Sequence, residues 1–173
     1  MPKITGRSTT MPNHEVAPGL LGYEHLEVSS GPDDGLAYHV TARIEPHGGK
    51  YVVTKLVAEQ VPGGPPIQRG ELAKISMEPL VREAAREVNV TSGGDTSRPI
   101  ASAPEFWDRI GSGEPIADED LPHLAALYRW VRLQDGRPTT IMARDFNVSQ
   151  ATVRRWLVRA VEAGHLTQEE RTK

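Results

Sequence analysis

The chain has 173 residues, no cysteine and a formal net charge of −3. That length fits one ordinary domain or two small ones, and the absent thiols exclude disulfides, zinc–thiolate sites and thiolate catalysis. The charge is uneven: residues 1–120 hold 11 Lys and Arg against 18 Asp and Glu, a net of −7, whereas residues 121–173 hold 9 against 5, a net of +4. An acidic body with a basic C-terminal piece points to a polyanion partner for that piece.

Residues 1–20 are polar, carry three prolines and show no periodicity, the pattern of a flexible arm. Three strand-like runs follow within residues 21–90. YEHLEVS (Tyr23–Ser29) alternates weakly, LAYHVTARI (Leu36–Ile44) alternates with a period of two, and KYVVTKLVAEQV (Lys50–Val61) is rich in β-branched residues. GPDDG (Gly31–Gly35) and PHGG (Pro46–Gly49) supply turn glycines between them. The expectation is a three-stranded antiparallel meander, stopped by PGGPP (Pro62–Pro66), since proline cannot donate to a ladder. MEPLVREAAREV (Met77–Val88) then spaces Leu80, Val81, Ala84, Ala85 and Val88 for one helical face, with Pro79 tolerated in the first turn.

Residues 91–117 read as a linker, TSGGDTSRPIASAP, with one short helix at EFWDRI (Glu105–Ile110). From Asp118 the spacing turns helical through residue 166. Leu121, Leu124, Ala125, Tyr128 and Val131 form one stripe behind an acidic start at Asp118–Asp120. DGRP (Asp135–Pro138) breaks it. A short helix is expected over Thr140–Phe146 with Thr139 as N-cap, and a third over Gln150–Ala163. Between them, Asn147 suits a left-handed turn, Val148 a plug and Ser149 a cap; Gly164 suits the left-handed end of the last helix, with Leu166 as its hydrophobic partner.

This is the spacing of a helix-turn-helix. Ala143 is the small residue where the paired helices meet, Met142, Phe146 and Val148 are the plugs, and Val153 and Trp156 are the expected buried positions of the third helix. Its outward face is then Ser149, Gln150, Thr152, Arg154, Arg155 and Arg159, residue types that reach base edges and phosphates. Arg137, Thr139 and Arg144 are expected near the DNA backbone. Residues 167–173 form a tail, too short and polar for a β-hairpin wing.

GRPTTIMARDFNVSQATVRRWLVRAVEAGHL resembles the helix-turn-helix tails of uncharacterised actinobacterial and actinobacteriophage proteins. YVVTKLVAEQVPGGPPIQRGELAKISMEPLVREAA resembles the small strand-plus-helix domain that precedes those tails. The resemblance implies a bacterial or phage DNA-binding protein without a known target.

The six histidines show no metal-ligand spacing, and the Ser, Asp and His residues of SSGPDDGLAYH are explained by a hairpin turn, so neither a metal, a cofactor nor an enzymatic activity is expected. No run approaches the roughly eighteen apolar residues of a membrane span, and the N-terminus lacks a signal-peptide core. The whole reads as an α+β protein: a small three-stranded sheet with a helix, linked to a wingless tri-helical unit. The expected function is sequence-specific binding of double-stranded DNA by a cytoplasmic, nucleoid-associated transcriptional regulator. One unwinged unit offers few contacts, so a homodimer through the N-terminal domain is expected. The alternatives are a phage packaging or recombination accessory protein and a protein-interaction module.

Overall fold

The computed structural model describes residues 1–92, 95–99, 116–134 and 136–172. Within them the chain is mixed α+β, with two antiparallel four-stranded sheets and six α-helices. The first sheet joins β1 (Lys3–Arg7), β4 (Leu26–Ser30), β5 (Tyr38–His47) and β6 (Lys50–Gln60) in the order β1-β4-β5-β6. The second joins β2 (His14–Ala17), β3 (Leu20–Gly22), β7 (Asn89–Ser92) and β8 (Asp95–Pro99) in the order β2-β3-β7-β8.

The meander of the sequence is present as β4-β5-β6, with β1 as a fourth strand. The sequence expectation fails at residues 1–20, which are strands and turns rather than an arm. Pro18 and Gly19, the latter at φ 73°, turn the chain between β2 and β3, and Val16 and Leu20 are buried. It fails again at residues 91–104: β7 and β8 occupy their first part, because β3 lacks a second partner until β7 pairs with it. The short helix expected at Glu105–Ile110 lies outside the described residues.

Strand β5 alternates cleanly, with Tyr38, Val40, Ala42 and Ile44 buried on one face. Gly48 and Gly49, at φ 59° and 77°, close the β5–β6 hairpin as its two-residue turn requires. Gly22 serves a close approach instead: a Cβ there would lie 2.5 Å from the buried Tyr51 hydroxyl. Helix α1 (Arg69–Leu72) is a single turn, and α2 (Glu78–Ala85) lays Leu80, Val81, Ala84 and Ala85 against the first sheet.

The C-terminal helices are α3 (Leu121–Leu133), preceded by a 3-10 turn at Asp118–Asp120, then α4 (Pro138–Asp145), α5 (Gln150–Glu162) and α6 (Gln168–Thr172). Helices α3, α4 and α5 pack on one another around Leu124, Leu127, Met142, Phe146, Val153 and Leu157. Helix α3 faces two ways. Its Ala126 and Leu133 belong to the core of the strands, and the Trp130 indole donates to the Ala85 carbonyl at the end of α2, at 2.8 Å. Two lobes therefore share one helix.

The tail is also ordered: Arg129 of α3 grips Glu170 of α6 at 2.6 and 3.0 Å, while Tyr128 and Arg132 donate to the Glu170 carbonyl. Arg129 holds the Glu170 carboxyl below the usual carboxylate range, helped by the Thr167 amide. No described helix is long and apolar enough to cross a membrane.

Candidate nucleic-acid interface

The candidate interface is built from α4, the turn after it, and α5. Pro138 opens α4, costing no hydrogen bond because the first helical amides have no partner, and the cap is therefore Arg137, not Thr139. Thr139 is the second helical residue and half-buried. Upstream, Gly136 lets the chain pass close: a Cβ there would lie 2.6 Å from the Ile141 side chain.

The turn is specified residue by residue. Asn147 sits at φ 51°, the only non-glycine residue with positive φ among those described. The Val148 amide then reaches back to the Ala143 carbonyl at 2.9 Å, and the Asn147 amide to the Arg144 carbonyl at 3.2 Å, which satisfies two of the last carbonyls of α4. Ser149 caps α5 as expected, its hydroxyl accepting from the Thr152 amide at 3.0 Å. At the far end Gly164, at φ 76°, repeats the same pattern, with His165 bonded to Ala160 and Leu166 buried.

The buried stripe of α5 is Val153, Leu157 and Ala160. Trp156 was expected in that stripe; it lies at its edge, half-buried, with its ring 6.0 Å from Phe146 in an edge-on contact. The exposed stripe is Gln150, Ala151, Arg154, Arg155 and Val158, with Ser149 at its head. Arg154 and Arg155 each donate to a residue of their own helix, to Gln150 at 3.4 Å and to Thr152 at 3.2 Å. Thr152 is half-buried, its hydroxyl 2.9 Å from that of Ser149.

Arg159 departs from its expected role. It donates to the Ile116 carbonyl at 2.9 Å and to Asp118 at 2.6 Å, tying α5 to the segment before α3. Its guanidinium is therefore paired within the chain, with 40% of the Arg159 side chain and 88% of that of Asp118 still exposed. Ala151 and Val158 are the exposed-face residues that the sequence reading passed over. Their spacing from Arg155 and Arg154, one helical turn each, was the signal.

Arg144 is exposed beside α5's head and pairs with Asp145 at 2.8 Å, which raises its pKa further. Arg137 is exposed and borders a cleft of about 960 Å³ that Lys50 and the Arg82–Glu78 ion pair of the strand lobe also line. No group of three or more His, Asp or Glu among the described residues is placed to hold a metal. Comparison of the chain with family models, with curated proteins and with solved structures finds no match.

Proposed function

We propose that α4 and α5 form a wingless helix-turn-helix, and that α5 enters the major groove of double-stranded DNA. The observation that carries this reading is the two-sided α5: Val153, Leu157 and Ala160 are buried in the tri-helical core, while Gln150, Arg154 and Arg155 stand exposed. A helix held by one face, with long donors on the other, has the construction of a major-groove reader.

Arg154, Arg155 and Gln150 are assigned to base edges, where arginine pairs with guanine and glutamine with adenine. Ala151 and Val158 add apolar contacts of the kind a thymine methyl takes. Arg137, Arg144 and Thr139 are assigned to phosphates, with Ser149 and Thr152 at the head of α5. Arg159 is withdrawn from this list because Asp118 and Ile116 hold it.

On this reading the protein is a bacterial or phage transcriptional regulator, cytoplasmic and nucleoid-associated, acting as a homodimer through the strand lobe. Half-sites then lie about one or two helical turns apart. The test is selection of bound fragments from the protein's own genome. Recovery of one operator near a promoter supports a regulator. Recovery of a packaging or attachment site moves the reading to DNA processing, and recovery of nothing moves it to a protein partner.

A further inference from the structure

The dimer proposed above needs an interface, and the four sheet edges differ in how open they are. Strand β1 is short and broken by an irregularity at Gly6. Strand β2 has four residues and its own irregularity, and β8 ends in Pro99. Bulges, short strands, proline and charged side chains are the usual ways an edge is protected from pairing. Past Thr54, strand β6 has only the last of these, Lys55 and Glu59: it runs 11 residues, and among the described residues only β5 pairs with it. Its one irregularity lies where Lys55 opposes Arg43 and Val53 opposes Ile44, leaving Lys55–Gln60 regular.

The two faces of that stretch follow from the register. Leu56 and Ala58 lie opposite Ala42 and Val40, on the core face, and Leu56 is left 39% exposed. Lys55, Val57 and Glu59 lie opposite Arg43, Thr41 and His39, on the outer face. That face carries a hydroxyl ladder, Thr5 to Ser29 to Thr41, each step 3.1 Å, and at the edge beyond Thr41 comes the apolar Val57. Lys55 opposes a like charge, Arg43, whose guanidinium pairs with Glu45 at 2.8 Å.

We infer that β6 pairs antiparallel with β6 of a second copy of this chain, on a two-fold axis at Val57. A two-fold antiparallel pair fixes which residues meet. Centred on Val57, it sets Val57 against Val57, Leu56 against Ala58, and Lys55 against Glu59 on both sides of the axis. Each lysine gains an opposite charge and each exposed Leu56 an apolar neighbour. A centre at Lys55 sets the two lysines against each other, and a centre at Leu56 or Ala58 sets Lys55 and Glu59 against valines. Charge complementarity therefore selects one register, which joins the two first sheets into a continuous eight-stranded sheet.

The inference specifies the dimer of the proposed function but its test does not involve DNA. Sedimentation of the full chain at micromolar concentration is the measurement, with circular dichroism as the check on folding. Lys55→Glu and Glu59→Lys each set like charges across the axis and are expected to weaken dimerisation at least tenfold. The double variant restores opposite charges and is expected to return to within about threefold of the parent. Val57→Lys places two lysines at the axis and is expected to give a monomer. A monomeric parent, single variants as dimeric as the parent, or a double variant as monomeric as the singles would each overturn the interface while leaving the reading of α5 untouched.

Discussion

At the scale of single residues, the proposed reading of DNA depends on which side chains of α5 are free to act. Arg154→Ala and Arg155→Ala should each lower specific DNA affinity by about 1–3 kcal/mol in a filter-binding or anisotropy titration, with the helical spectrum unchanged. Arg137→Ala should lower the salt slope of binding by about one unit and leave sequence preference alone. Leu157→Ala should cost about 2–5 kcal/mol of stability in a denaturant titration, as for other buried leucines. Trp156→Ala should cost less than the roughly 3–5 kcal/mol of a fully buried ring, because Trp156 is half-buried. Arg159→Ala should lower the melting temperature rather than alter sequence preference, because its guanidinium is bonded to Asp118 and Ile116.

At the scale of elements, legibility followed locality. The turn between α4 and α5 could be read in advance because Asn147, Val148 and Ser149 each do a job within four or five residues of themselves. The β5–β6 hairpin was equally local, with two glycines at its tip. Strands β1, β2 and β3 were not legible: they are short, and β3 finds its second partner in β7, far along the chain. Nor was α6, whose polar sequence is held by Arg129 rather than by apolar burial. Trp156 was misplaced because an apolar residue three from Val153 fits a buried stripe as well as its margin does; Leu157 and Ala160 took the stripe. The α6 tie also predicts a pH dependence. Glu170 has a lowered pKa, so the stability it lends is full above the ordinary carboxylate value of about 4.3 and is lost as pH falls through the lower folded value. Protection of the α6 amides, measured against their intrinsic exchange rate at each pH, should fall in that acidic window, and Glu170→Gln should lower it at neutral pH.

At the scale of the whole molecule, the shared helix α3 decides how the protein can be taken apart. A fragment holding only α3 to α6 would expose Ala126, Leu133 and Trp130, which the strand lobe covers. Such a fragment should be less stable than the same helices in the full chain, and Trp130→Phe, which removes the bond to Ala85, should cost the full chain about 0.5–1.5 kcal/mol. The central claim, that the exposed face of α5 reads DNA, is tested most directly by selecting genomic fragments with the full chain and with an Arg154→Ala, Arg155→Ala double variant of unchanged helical spectrum. The account predicts one enriched sequence for the parent and its loss for the variant. Equal enrichment by both proteins, or none by the parent, would contradict it.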